Sequence, residues 1–206
     1  MFISLAIGFS ATQQSLKLFG CERAVFKRES NTGLNRFAYF LGKQISSIPD
    51  ILLLPFIFLS MFYSAANPRG DFYLYYATLL SSQFALSGLG NFISVVMDPT
   101  QAQITAVVAV LILNSIGGFS PLKSDLGQAS FVCNLSYGFW LMESLFLIEV
   151  DHYPDIFLQT KNDIASNLAY NLSRSVFVDI AVVFGMGVLA RVFNFIALRL
   201  INHKWV

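Results

Sequence analysis

Four stretches of this chain are long and apolar enough to cross a bilayer, and that fact limits the fold more than any other. They run 44–63, 72–96, 102–119 and 176–198. A hydrocarbon core of about 30 Å takes roughly 20 helical residues. Backbone in hydrocarbon has no water to bond, so spans of this length are helical. Only 12% of the 206 residues are charged, against 55% hydrophobic. Soluble domains carry about 25% charge. The expected fold is an all-α polytopic helical membrane bundle.

Residues 1–16 add a partial span. At about 1.5 Å per residue they rise roughly 24 Å, short of the core, and Ser10, Thr12, Gln13 and Gln14 mark an exit from the bilayer. The segment has no basic lead and no small-residue cleavage site, so it reads as the later half of a helix rather than a signal peptide. Pro49 and Pro55 are expected to kink the first complete span, which a packed bundle tolerates.

Basic residues set the orientation. Arg23, Lys27, Arg28, Arg36 and Lys43 fall in 21–43, with Lys17 just before. Lys and Arg next to apolar spans stay cytoplasmic, so this connecting segment is placed inside. Four crossings then return the C-terminus, with Arg199, His203 and Lys204, to the cytoplasm. Asn67–Asp71 and Asp98–Thr100 have turn composition. The 120–175 segment becomes a long external loop. Within it Phe139–Val150 is apolar yet too short to span, and suits a re-entrant or interfacial helix.

The run Phe26-Lys27-Arg28-Glu29, then Gly33, then Ala38-Tyr39-Phe40-Leu41 and Lys43 has the pattern F-x-R-E-x-x-x-G followed by A-Y-F-L-x-K. It resembles the connecting helix and third-span start of the G family of ATP-binding cassette transporters. The resemblance covers nearly the whole chain. It implies the later portion of an ABC-2 type transmembrane domain, without its nucleotide-binding domain, first span and part of the second. It also implies an ATP-driven half-transporter exporting lipid or hydrophobic small molecules. In that reading the chain supplies the substrate pathway and coupling surface. It itself holds no cofactor, while ATP and Mg²⁺ sit on a nucleotide-binding domain joined in cis or trans. A second half completes a homo- or heterodimer. The alternative is a truncated, non-transporting membrane subunit that dimerises with a full-length half and regulates it. The plasma membrane is the expected location, an internal membrane the alternative.

Chemistry on the chain itself is not indicated. No G-x-x-x-x-G-K-[ST] phosphate loop occurs; Gly42-Lys43 is followed by Gln44. Leu86-Ser87-Gly88-Leu89-Gly90 looks like a cassette signature but lies inside a span, where small residues serve helix packing. His152 and His203 fall on opposite sides, which argues against a His-ligated metal or a Ser-His triad. Catalytic and metal-ligating residues are therefore expected to be none, and a near-neutral balance gives no footprint for nucleic acid.

Candidate site residues follow from the resemblance. Glu22, Arg23, Arg28 and Glu29 match charged positions of the helix that receives the nucleotide-binding domain's motion; a solvated face is the plain alternative. Phe9, Ser10, Leu111 and Asn114 match positions lining the central cavity, with an interhelical hydrogen bond as the plain reading of Asn114. Asn134-Leu135-Ser136 and Asn171-Leu172-Ser173 are glycosylation sequons in the segment independently read as external. Cys133, alone on that side, is either an ordinary thiol or a bridge to a partner chain. Asp179 and Arg191 are expected near the ends of the last span, snorkelling or paired. Ala181 and Gly185 form a small-xxx-small packing pair.

Overall fold

A computed structural model of the chain describes residues 2–20, 26, 28, 29, 33, 35–117, 131–152, 158–168, 170–172 and 174–204. They form α1 (Phe2–Gly20), α2 (Arg36–Ser46), α3 (Ile48–Ala66), α4 (Phe72–Val96), α5 (Pro99–Ile116), α6 (Tyr137–Val150), α7 (Leu158–Leu168) and α8 (Val176–Lys204). Four segments qualify as membrane spans: Arg36–Ala66, Phe72–Val96, Pro99–Ile116 and Val176–Leu200. This is an all-α membrane bundle.

α4 is the hub, with α1, α3, α5, α6 and α8 all packed on it. Its sequence explains why. Thr78, Ser81, Ser82, Ser87 and Ser94 are small enough to let neighbours approach, and all are buried. Thr78, Ser81, Ser82 and Ser87 return their hydroxyls to carbonyls three or four residues back. Ser94 instead donates to the Leu16 carbonyl of α1 at 2.8 Å. Hydroxyls bonded in this way cost little to bury.

Two glycines of α4 let the neighbouring helices approach. A Cβ on Gly90 would stand 2.9 Å from Ser15 Cβ and 3.0 Å from the Thr12 carbonyl oxygen of α1. On the other side, Gly88 meets Ala190 and Gly187 of α8. The close-packing pair on α8 is thus Gly187 with Ala190, not the expected Ala181 with Gly185. Ala181 is exposed, and a Cβ on Gly185 would meet nothing within 4 Å. That stripe of α8 turns away from α4.

The first complete span also differs from expectation. Its helix begins at Arg36, capped by the Asn35 side chain, which accepts from the Phe37 and Ala38 N–H groups. It is interrupted at Ser47, whose N–H donates to the Lys43 and Gln44 carbonyls. Pro49 lies in the first turn of α3, where its missing N–H removes no bond. Pro55 remains inside the helix and buried. α3 closes on Asn67 in the left-handed conformation, φ 45°.

At the opposite end of the bundle from α2, α6 is held by charge. Its 14 residues rise about 21 Å, too little to span. Ser136 caps it, accepting from the Gly138 N–H at 3.1 Å and donating to the Leu113 carbonyl of α5. Glu143 is 0% exposed. Its carboxylate accepts from the Asn171 N–H at 2.7 Å and pairs with Arg174 at 3.3 Å. Arg174 also reaches Asp179 of α8 at 4.0 Å and lies over the Trp140 ring. Asp179 is fully buried and accepts from Ser144. It is therefore paired near the start of the last span, one of the two expected outcomes. Burial, reinforced by the Glu143 charge, pushes the nearby Tyr170 phenol up to about 12.

Thermal unfolding of four variants in detergent tests this packing. Gly90→Ala should destabilise by about 1–3 kcal/mol, because the backbone it meets cannot give way. Gly42→Ala, where nothing lies within 4 Å, should be neutral or stabilising by up to ~1 kcal/mol. Arg174→Gln should cost about 2–4 kcal/mol by leaving two buried carboxylates without their cation. Adding Glu143→Gln should recover part of that loss; a simple sum of the two costs would contradict the coupling.

Candidate transport surface

α1 and α5 lie antiparallel. Ser4 Oγ donates to Asn114 Oδ1 at 2.5 Å near one end, while Gln13 and Gln103 share a groove towards the other. That groove is shallow and open, with about 370 Å³ of space, and is lined by Gln13, Gln103, Ile104, Val107 and Val108. Ala102, Ala106, Val110 and Asn114 form the buried stripe of α5. The opposite stripe, Ile104, Val108, Leu111, Ile112 and Ser115, is exposed.

This face is amphipathic in an unusual sense for a membrane surface. Helix faces in contact with lipid tails are apolar, since a polar group there has no partner. Here two amides and Ser10 stand among branched aliphatics on an uncovered face. Ser10 returns its hydroxyl to the Ala6 carbonyl at 2.7 Å. A surface of this composition suits a packed neighbour or an amphiphilic ligand, where many apolar contacts combine with few polar ones.

The four residues matched to a cavity are placed unequally. Ser10 and Leu111 are on the exposed face, and Phe9 is half-buried against the core. Asn114 is 4% exposed and points inward to Ser4. The interhelical hydrogen bond, the plainer of its two readings, is what the geometry contains.

At the α2 end of the bundle, Phe26 is buried with Phe19, Phe40, Val95 and Leu198, and lies 4.7 Å from the Tyr39 ring. Arg28 and Glu29 are helical and exposed beside it. An aromatic anchor thus ties this short helical stretch to α1, α2, α4 and α8, while its charges face outward. Glu22 and Arg23 lie outside the described residues.

Asn134 and Asn171 are both exposed. Ser136 of the first sequon is buried as the α6 cap, and Ser173 of the second lies outside the described residues. Cys133 is buried and free; Cys21 is not among the described residues.

Arg191 departs most from expectation. It does not snorkel to an end of α8. Its guanidinium turns inward to the Phe84 and Gly187 carbonyls, to Ser87 and to Gln44. It lies over the Phe84 ring at 3.5 Å, and Phe84 stacks on Phe184. The partners are 104 or more residues distant except for Gly187. No local pattern carries that signal; only the rarity of an arginine inside an apolar run points to it.

Comparison with known proteins places this geometry in a family. The pattern of the family described as ABC-2 type transporter matches residues 1–204. Among curated proteins, the chain is 27% identical to ABC transporter G family member 25 of Oryza sativa subsp. japonica over 94% of its length. It is 24% identical to putative white-brown complex homolog protein 30 of Arabidopsis thaliana over 82% of its length. ABC-type transporter claG of Penicillium crustosum is 25% identical over 73% of the chain. The aligned regions are 18%, 15% and 20% of those proteins, so the chain spans a fifth or less of their length. The chain is an ABC-2 transmembrane domain and belongs to the ABC-2 type transporter family.

Proposed function

We propose that the chain forms the membrane half of an ATP-driven exporter of lipid or hydrophobic small molecules, with the α1–α5 face as the wall of its substrate pathway. The observation that carries this reading is the uncovered groove of Gln13, Gln103, Ile104, Val107 and Val108. Its two amides lie towards one end of the span, and a polar and aliphatic face of this kind suits a second half-transporter enclosing a cavity. Phe9, Ser10 and Leu111 belong to that wall, and Asn114 supports it from one layer behind. The second half is a copy of the same domain or a related one.

ATP and Mg²⁺ bind on a nucleotide-binding domain in cis or trans, which supplies phosphoryl chemistry that this chain's residues do not perform. The helix bearing Arg28 and Glu29 receives the motion of that domain. Phe26 passes it to α1 and α2 because its ring is packed between them. The α2 end and the C-terminus are cytoplasmic in this reading, because Lys and Arg beside spans stay inside and Lys17, Lys43, Arg199 and Lys204 flank those spans in the sequence. Asn134 and Asn171 are then external and open to glycosylation, in a protein of the plasma membrane.

Two measurements test this in vesicles containing the transporter. Val108→Trp narrows the groove from an exposed position and should lower ATP-dependent export by about tenfold, equivalent to ~1.4 kcal/mol, with thermal unfolding unchanged. Undiminished export from both Val108→Trp and Ile104→Trp would remove the groove from the pathway. Exchanging the charges as Arg28→Glu with Glu29→Arg should uncouple cargo from ATP hydrolysis, reducing cargo-stimulated turnover severalfold. Unaltered stimulation would make that stretch a solvated face only.

A further inference from the structure

Arg191 is a cation inside a span, and every group it bonds to is neutral. Nη1 donates to the Phe84 carbonyl at 2.7 Å and the Gly187 carbonyl at 3.1 Å. Nη2 donates to Ser87 Oγ at 2.8 Å, and Nε to Gln44 Oε1 at 3.1 Å. No carboxylate pairs with it among the described residues. Four neutral acceptors fix the guanidinium in space but leave its unit charge uncompensated in a medium of low dielectric. Two donors are also left over. A guanidinium has five N–H groups and four are used, while Gln44 Nε2 is buried with no hydrogen-bond partner.

The surroundings say what could approach. Arg191 sits in the seam between α8 and the α2–α3 segment, floored by Phe84 of α4. On the flanking helices Leu41, Ile45, Phe184 and Val188, all within seven residues of Gln44 or Arg191, are exposed, an apolar surface for hydrocarbon on both sides of the seam. One turn further along α8, Phe195 meets Phe37 and Phe40 and closes the seam at the α2 end. Arg191 lies eight residues before Arg199, about 12 Å of helix rise. A buried cation at that depth draws polar headgroups inward by local thinning of the bilayer. The ligand therefore needs an anionic oxygen acceptor joined to hydrocarbon.

We propose that Arg191 and Gln44 form a binding site for the phosphodiester of an anionic phospholipid in the leaflet at the α2 end, with its acyl chains against Ile45, Val188 and Phe184. A phosphate oxygen accepts from the remaining Arg191 N–H, the side chains covering Gln44 Nε2 shift to let a second oxygen accept from it, and the phosphate neutralises the guanidinium. A resident lipid of this kind ties α2 to α8 beside the segment that carries Arg28 and Glu29.

The test is native mass spectrometry of the chain released from nanodiscs of mixed phosphatidylglycerol and phosphatidylcholine. Gln44→Glu is the deciding variant. It keeps the acceptor for Arg191 Nε, places a carboxylate against the guanidinium and removes the spare amide donor. Wild type should retain phosphatidylglycerol in preference to phosphatidylcholine, and Gln44→Glu should lower that preference at least threefold. Thermal unfolding in discs of phosphatidylcholine alone should be at or above that of wild type, since the new carboxylate compensates the guanidinium without lipid. If Gln44→Glu does not fold, Ile45→Asp supplies the same repulsion at the exposed mouth without touching the bonds of Arg191, and should give the same loss. Inorganic phosphate in the buffer should not displace the lipid. An unchanged preference in the folded variant, or no preference in wild type, would overturn the proposal. Displacement by inorganic phosphate would overturn the lipid assignment in favour of a soluble anion.

Discussion

Hydrocarbon gives a polar group nothing to bond to, and the position of α4 follows from that constraint. Its sequence has the length and mean hydropathy of a span, yet it carries a row of serines and a threonine. Facing lipid, these would be costly. Surrounded by five other helices, the hydroxyls close on backbone carbonyls of α4 itself or of α1. The same small residues that need burial make it possible, because Gly88 and Gly90 admit α8 and α1 to near backbone contact. Polarity and close packing are one property here.

The remaining polar groups sort by whether that core can serve them. At the end away from α2, Glu143 and Asp179 share Arg174, so α6 is bound to α8 without crossing the membrane. Towards the α2 end, Arg191 borrows the Phe84 carbonyl and Ser87 from the hub and Gln44 from α2. On the α1–α5 face, Gln13 and Gln103 reach neither arrangement and remain at an open groove. The charge network, the buried cation and the amide-bearing groove are three departures from an apolar bundle, at three different places on it.

Much of the fold was legible because membrane spans are long and their ends are punctuated. Asn67–Asp71 and Asp98–Pro99 bracket α4, and the helix runs from Phe72 to Val96 between them. The start at Arg36 was less legible, since α2 is charged and amphipathic; the apolar run begins only at Gln44, while helicity begins at the Asn35 cap. Ala181 with Gly185 had the right spacing for packing but the wrong side of α8, because spacing does not say which stripe faces the hub. Asn114 was legible as a buried polar residue, but its choice between cavity and hydrogen bond depended on Ser4, 110 residues away. Arg191 was hidden for a similar reason. An arginine towards the end of a span normally extends to the interface, and here the Phe84 and Gly187 carbonyls, Ser87 and Gln44 hold it back.

The account rests on the α1–α5 face being something other than a lipid surface. Site-directed spin labelling of the transporter in liposomes measures this directly, through relaxation by oxygen, which concentrates in lipid, and by a water-soluble nickel complex. Labels stepped through residues 103–112 should show low oxygen access at 104, 108 and 111, with nickel access at the same positions. Labels at Leu53 and Ile57 on the exposed side of α3 should show the reverse. High oxygen access at 104, 108 and 111, equal to that at 53 and 57, would contradict the account, because that face would then be ordinary membrane exterior.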